Sequence, residues 1–421
     1  MSALPAGPTS SPAVQTARWL ARPIAFLEDC RRRYGDAFTV TFRGFRTPLV
    51  MISGPDMIRA LYTERSHHMP PGRSITLEPL VGARSLLLLE GSDHLTRRRL
   101  MLPPFHGERM RGYEDVVREA TAREVASWPI GRPFAVHPSM QAITLDVILS
   151  AVFGVTAGER RERLRADLSA LLEATVSKSL QVSVMFGRRG ALDRLREQAD
   201  AIDALLLAEI AARREAPGDD ICALLVQARF EDGSPMDDRE VRDQLMTLLI
   251  AGHETTATGL AWALDLLTRN PDVIERARGD GDAYLRAVVT EALRLRPVVP
   301  LAGRRLATEL RVDGLALPAG TDVTPAIWLA HTRAQEYPDP YAFRPERFLD
   351  KPPSTYTWIP FGGGIRRCLG APFAEMEMRV VLAELLARFD LRPVGRRPER
   401  PMRRNVTFSP QGGTRVIATP R

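Results

Sequence analysis

The residues with the greatest chemical reach lie near the end of the chain, in Phe361-Gly362-Gly363-Gly364-Ile365-Arg366-Arg367-Cys368-Leu369-Gly370. A glycine-rich loop runs straight into a helix-forming segment, with a cysteine at the junction. A helix N-terminus offers free N–H donors and a partial positive charge. Both favour a thiolate over a thiol, and a thiolate is a metal ligand. The glycines carry no Cβ, so a large flat ligand could approach the backbone closely. A plain buried cysteine is the alternative reading of the same residues. A phosphate-cradling loop does not fit, because no Lys-Ser or Lys-Thr follows and no strand precedes.

A second group sits in the middle of the longest helical pattern: Ala251-Gly252-His253-Glu254-Thr255-Thr256. Glycine and two threonines cost helix propensity there. An acid beside a hydroxyl in an apolar helix centre costs desolvation as well. Local costs of this kind mark a functional site. A zinc helix is excluded because residue 257 is Ala where a second His is needed. A polar patch facing solvent, with a packing glycine, is the alternative. Glu291 and Arg294 share a helix face at i, i+3. Arg347, in the turn-like Phe343-Arg344-Pro345-Glu346-Arg347-Phe348, could bring a second guanidinium to Glu291. His94 and Arg98, four apart, share a face that reads as an anion site or as an exposed helix surface.

The elements that must hold these groups follow from periodicity. Residues 1–20, rich in Pro, Ser and Ala, read as an arm lying on a body formed by 21–421. A helix is predicted over 24–34, then two β-rich runs at 37–42 and 47–52. Apolar residues at helical spacing follow at 94–102, 110–128, 137–153, 159–177, 190–214 and 236–268. The last would span ~50 Å at ~1.5 Å per residue, enough to be the axis of a domain. Helices continue at 271–278 and 283–295. After 297 prolines are dense, short strands are predicted at 309–312 and 322–325, and a final helix at 369–388. The fold class is therefore mainly α with a minor β part, in one domain.

At 421 residues, 44% hydrophobic and 26% charged, the chain is long enough to bury a sizeable cofactor. The apolar runs are far shorter than the ~20 residues of a membrane helix. The start of the chain has no basic segment followed by an apolar core, so neither signal peptide nor anchor is expected and the cytoplasm is the expected location. Three cysteines, Cys30, Cys222 and Cys368, do not make a disulfide framework. The net charge is +7, and lysine stands only at 178 and 351. The arginines are spread among acids rather than gathered in a block, which argues against nucleic-acid binding.

Together and in this order, these motifs resemble the cytochrome P-450 family of haem-thiolate monooxygenases. Phe361, Gly362, Gly364, Arg366, Cys368 and Gly370 match its cysteine signature, and Ala251, Gly252, Glu254 and Thr255 its central-helix signature. Glu291 with Arg294 match its Glu-x-x-Arg, and Arg347 its downstream arginine turn. The likeness covers roughly residues 20–415 and implies the soluble bacterial type, as a monomer. It implies a haem b between the long central helix and the helix after the cysteine loop, with Cys368 as iron ligand. His94, Arg98, Arg304 and Arg366 would meet the propionates, with Arg305 a rival for Arg304. Glu254 and Thr255 would be the catalytic acid–alcohol pair that delivers protons to bound O2, with Gly252 opening the helix beside it. Glu291, Arg294 and Arg347 would form a structural charge network.

The expected substrate pocket draws on the loop 74–89, including Ile75, Leu77 and Leu80. Leu248 and Ala251 of the central helix, Val299, Leu301 and Ala302 of the turn 298–303, and the stretch 406–410 complete it. Its apolar lining suggests a hydrophobic small molecule, with a terpenoid or fatty acid favoured by loose resemblance. Hydroxylation would draw electrons from NAD(P)H through a ferredoxin reductase and an acidic ferredoxin. Arg97, Arg99 and Arg367 would guide that docking. A peroxide-using haem-thiolate enzyme and a non-catalytic haem-thiolate sensor are the competing readings; neither needs Glu254 beside Thr255.

Overall fold

The computed structural model describes residues 4–43, 45, 47–63, 78–154, 158–176, 190–404 and 406–421. Its axis is the 31-residue helix Asp238–Thr268. The Asp237 carboxylate caps it, accepting the Glu240 N–H at 2.8 Å. Asp238 and Glu240 add negative charge to the first turn, where the helix dipole favours it. From Thr256 to Thr268 every residue is buried, as expected of a helix enclosed on all sides.

The helix His137–Phe153 runs against this axis and buries thirteen of its seventeen residues. On another side lies Ala371–Arg388, the helix that follows the cysteine loop. Gly259 permits that approach: a Cβ there would stand 3.1 Å from the Met378 sulfur. One large apolar core joins these helices with Gly281–Leu295.

The minor β part contains a four-stranded sheet in the order Ala37–Val40, Leu49–Ile52, Asp322–Pro325, Arg304–Arg305. The first pair is antiparallel, the second parallel and the third antiparallel. A three-stranded sheet joins Pro133–Ala135, Arg415–Pro420 and Phe389–Pro393. Pro401–Arg404 and Thr407–Pro410 form a hairpin beside the central helix, where the Trp262 indole donates to the Phe408 carbonyl at 2.7 Å.

The helices expected from periodicity are present, with ends within three residues of those expected and His137–Phe153 matched at both. The 24–34 helix, seen as Pro23–Tyr34, stops at Gly35 with φ +82, a conformation glycine adopts without strain. Helices Pro55–Thr63 and Ile221–Gln227 were not expected from periodicity; both are too short to show it. The expected arm is partly helical: Pro12–Ala21 forms a further helix that ends one residue past it. No helix among the described residues is long and apolar enough to cross a membrane.

Candidate functional site

Between Leu248 and Thr255 six residues of the central helix break its burial: Leu248, Ile250, Ala251, Gly252, Glu254 and Thr255 are exposed or half-exposed although the helix runs through the core. Leu248, Ala251, Gly252 and Thr255 fall at i, i+3, i+4 and i+7. They make one accessible, mostly apolar face in mid-molecule. The Thr255 hydroxyl donates to the Ala251 carbonyl at 2.6 Å, a back-bond that loosens helices locally. Gly252 has a packing role as well: a Cβ there would stand 3.3 Å from Ile148 of the neighbouring helix.

The cysteine loop is held by its own backbone. The Cys368 N–H donates to the Phe361 carbonyl at 2.9 Å, and the Gly362 N–H to Ile359 at 3.0 Å. Gly362 and Gly364 have φ +67 and +64. Gly363 makes room for a protein side chain: a Cβ would fall 2.2 Å from the Tyr62 ring. Cys368 alone of the three cysteines is exposed, while Cys30 and Cys222 are buried thiols pushed up to about 11 and about 12. Although reachable, Cys368 lies deep among protein atoms, and desolvation raises its pKa. The Gly370 N–H, Arg98 and Arg367 pull the other way. A positive metal ion at the sulfur would reverse the balance outright.

Beside the cysteine stands a cluster of basic side chains, His94, Arg98, Arg304 and Arg366, with none of them in an ion pair among the described residues and Glu90 the one acid that acts on Arg366 there. His94 is buried and held down to about 3, first by desolvation and then by Arg366, Arg98 and Arg304. Arg366 is lowered to about 10 by burial, Arg304 and Arg98, against a small pull from Glu90. His94 Nδ1 and Arg366 Nε are buried without hydrogen-bond partners. Arg366 donates instead to the Leu86 carbonyl at 3.4 Å and to that of Leu89. Arg304 and Arg305 sit in different surroundings. Arg305 points outward and pairs with Asp322 at 2.7 Å, whereas Arg304 is buried, over the Tyr62 ring, and finds only carbonyls of Ala302 and Gly303. Like charges gathered around orphaned donors are a receptor for an anion of more than one charge.

A contrasting cluster lies on the far side of the loop. Arg294 and Glu291, both fully buried, form a bidentate pair at 2.6 and 2.7 Å. Arg347 reaches Glu291 at 3.3 Å, and the Arg344 N–H donates to it at 2.9 Å. Arg294 also donates to the carbonyls of His331 and Pro340, both at 2.8 Å. His331 was not singled out from sequence. Its Nδ1 lies 3.0 Å from the Arg294 carbonyl and must donate, since a carbonyl only accepts. Its Nε2 therefore accepts the Ile359 N–H at 2.8 Å. Full burial keeps this imidazole neutral, held down to about 3. The path Glu291–Arg294–His331–Ile359 thus reaches the base of the cysteine loop.

Glu254 points away from Thr255, toward the helix His137–Phe153. Its Oε2 accepts from the Gln141 amide at 2.6 Å, and Arg404 Nε approaches Oε1 at 3.4 Å. Desolvation raises its pKa, and Arg404, Gln141 and Thr258 oppose the rise.

Of the expected pocket residues, Leu248, Val299, Leu301 and Ala302 are half-exposed and Ala251 is exposed. Leu80 is a core residue: it is buried, and its carbonyl accepts from Arg242 at 3.2 Å. Ile75 and Leu77 lie outside the described residues. The segment before the 94/98 helix is pinned to the central helix. Ser85 bonds Thr247 at 2.6 Å, and Gln244 takes the Leu86 N–H and donates to the Arg84 carbonyl. Two expected docking cations are engaged: Arg97 pairs with Glu240 and Asp93, and Arg99 with Glu231. Arg367 is exposed and makes no ion pair among the described residues.

The chain matches the Cytochrome P-450 family over residues 5–417. It is 44% identical to cytochrome P-450 135B1 of Mycobacterium tuberculosis, across 98% of this chain and 91% of that one. It is 39% identical to cytochrome P-450 137 of the same species, across 92% and 84%. Among solved structures, retinoic acid-bound cyanobacterial CYP120A1 superposes with a TM-score of 0.85 at 25% identity, covering all of both chains. The cytochrome P-450DA heme domain superposes at 0.86 with 22% identity, covering 100% of this chain and 98% of that one.

Proposed function

The chain belongs to the cytochrome P-450 family, the haem-thiolate monooxygenases, and from that premise we propose that it hydroxylates a hydrophobic small molecule. The observation that carries this reading is Thr255 on an accessible, mostly apolar face of a buried helix, with the neighbouring Glu254 turned behind that face toward the helix His137–Phe153. Leu248, Ala251, Val299, Leu301 and Ala302 would bind and orient an apolar substrate there. The mycobacterial relatives are named only as family members. CYP120A1 was solved with retinoic acid, an apolar chain with a carboxylate. That likeness, with the lining, favours a terpenoid or a fatty acid.

The residues fit a haem b. Cys368 supplies the one soft ligand the iron needs, and His94, Arg98, Arg304 and Arg366 supply donors for two carboxylates. The orphaned nitrogens of His94 and Arg366 support the assignment. When bound, the haem supplies the activation of O2, with a thiolate ligand favouring O–O cleavage. The protein then has three tasks: orienting substrate, limiting water and moving protons. Thr255 spends its proton on the Ala251 carbonyl, so its oxygen is free to accept a hydrogen bond at the open face. Glu254, raised by desolvation, titrates nearer neutrality and suits proton transfer. Glu291, Arg294 and Arg347 hold the cysteine loop and do not touch the reaction.

Electrons would come from NAD(P)H through a ferredoxin reductase and a ferredoxin. Arg367, exposed beside Cys368, is the cation that supports an acidic partner on this face. The enzyme is read as a cytoplasmic monomer.

The test is Thr255→Ala. Haem content and substrate-induced spectral change should stay as in wild type. Product formed per NAD(P)H should fall several-fold, with hydrogen peroxide making up the difference. Unchanged coupling would remove Thr255 from the mechanism. Full activity with peroxide alone would favour the peroxide-using reading.

A further inference from the structure

Glu254 must be resupplied with protons from solvent, yet it is mostly buried and its Oε1 has no well-formed hydrogen bond. Three groups surround that oxygen. Arg404 Nε stands at 3.4 Å and His137 Nε2 at 3.9 Å. The Thr258 hydroxyl, one turn along the same helix, is close enough to help hold the Glu254 pKa down. Thr258 Oγ1 is also 3.2 Å from His137 Nε2. His137 is the first residue of the helix His137–Phe153, and its N–H bonds the Gly413 carbonyl at 3.0 Å. Its other ring nitrogen has no partner among the described residues, nor is it among the fully buried unpartnered atoms. Arg404 belongs to the hairpin strand Pro401–Arg404 and is about a quarter exposed. Through Arg404 this corner connects Glu254 with the surface.

Resting on the monooxygenase reading, we propose that His137 and Thr258 form the proton inlet of Glu254, with Arg404 and Gln141 as positioning residues that keep the carboxylate turned toward it. The transfer balances without any redox partner. A solvent proton arrives at His137 Nδ1, the Nε2 proton passes to Thr258 Oγ1, and the Thr258 proton passes to Glu254. Glu254 then turns and gives up one proton on the Thr255 side; each group returns to its starting charge, and His137, left as its Nδ1–H tautomer, is reset by a ring flip or by proton exchange through water before the next transfer. A single water among His137, Thr258 and Glu254 would close the 3.9 Å gap by the same accounting.

The chemistry of the set agrees. Burial, aided by Arg404, holds His137 at about 4, so it stands neutral with one N–H and one lone pair, as a relay requires. The charged and titratable groups facing the site are Arg404 from the hairpin, His253 from the central helix and His137 itself. His253 is likewise held at about 4, by burial, His137 and Arg404, and its Nδ1 is occupied by Thr144 at 3.0 Å. His253 is therefore engaged elsewhere, and of the two imidazoles among the described residues here His137 is the one that lies beside Thr258 and Glu254. Arg404 keeps its proton throughout, so it orients and does not relay.

The experiment uses haem-loaded, full-length protein as wild type, Thr258→Val, Thr258→Ser and His137→Gln, turning over a substrate found by spectral binding. Thr258→Val keeps the shape and removes the hydroxyl. It should raise the solvent deuterium isotope effect on product formation at least twofold and divert several-fold more oxygen to hydrogen peroxide. Thr258→Ser should restore both. His137→Gln should act as Thr258→Val does, and the double variant should be no worse than either single one. A second readout is independent of turnover: the infrared carboxyl band lost in Glu254→Gln. Its midpoint should move to higher pH in Thr258→Val and in Arg404→Gln. Isotope effects unchanged in both single variants, or additive in the double one, would overturn the inlet. An unmoved carboxyl midpoint would overturn the placement of Thr258 and Arg404 around Glu254. If wild type formed no product from any substrate, the monooxygenase reading would fail instead, and the infrared titration would still decide the contacts.

Discussion

Two charged clusters flank the cysteine loop, and they are built on opposite rules. Around Glu291, every strong group is answered: a bidentate arginine, a second arginine, a backbone N–H, and carbonyls for the remaining guanidinium protons. Around His94, positive groups repel one another and two nitrogens have no partner. A closed network holds a shape; an open one of a single sign waits for a ligand. The contrast separates structural from functional charge with no reference to sequence likeness. In the proposed reading the loop uses both: one side would fix Cys368, and the other would secure the haem that Cys368 binds.

The comparison is most easily broken on the closed side. Glu291→Ala leaves two buried guanidinium groups unpaired, a loss of ~3–5 kcal/mol. Soluble yield and unfolding midpoint should fall together, with haem lost as a consequence. A stable, haem-retaining Glu291→Ala protein would make this cluster dispensable.

On the open side the sign reverses. Arg304→Gln removes repulsion from His94 and Arg366, so the haem-free protein should unfold no earlier than wild type. Haem retention, followed by transfer to an acceptor protein, should nevertheless weaken about tenfold, or ~1.4 kcal/mol. A variant that lost stability and kept its haem would place Arg304 with the structural group.

Acid sharpens the distinction. His94 sits at about 3 in the folded chain, against ~6.5 when unfolded. Between these values the unfolded chain takes up a proton that the folded one refuses, so stability falls as pH drops through that window. His331, held equally low, contributes over the same range. In haem-free protein, His94→Asn should flatten the slope of stability against pH by up to ~1.4 kcal/mol per unit. Haem should flatten the His94 share too, because its carboxylates favour the protonated imidazole. The share that disappears in a His331→Asn variant should be the same with and without haem. Equal responses of both shares to haem would erase the contrast.

The smallest effect concerns the exposed edge of the loop. First electron transfer from an acidic ferredoxin should slow with ionic strength, and Arg367→Glu should flatten that dependence. Arg97→Glu should change it less, since Glu240 and Asp93 already neutralise Arg97. Identical salt profiles for all three proteins would reject docking at this face.

The helical frame was legible because each long helix carries its own 3.6-residue signal. Candidate site residues could be named from sequence where one short segment holds them together, as in the cysteine loop and in Glu254-Thr255. Contacts set by tertiary packing were not. Leu49–Ile52 pairs in parallel with Asp322–Pro325 across some 270 positions, and nothing local encodes it. His331, His137, Thr258 and Arg404 sit in unremarkable sequence, and their roles arise only when distant elements meet. Gly252 and Gly363 were legible only in part, for a related reason. Sequence shows where a Cβ is missing, and only packing shows whether a ligand, Ile148 or Tyr62 fills the room.

The most direct test of the account is the spectrum of the reduced, carbon monoxide-bound protein in wild type and in Cys368→His. Wild type should show the long-wavelength Soret band of thiolate ligation. Cys368→His should lose that band while the cations around His94 still retain haem. An unchanged band in Cys368→His would contradict the assignment of Cys368, and with it the reading of the loop and both clusters beside it.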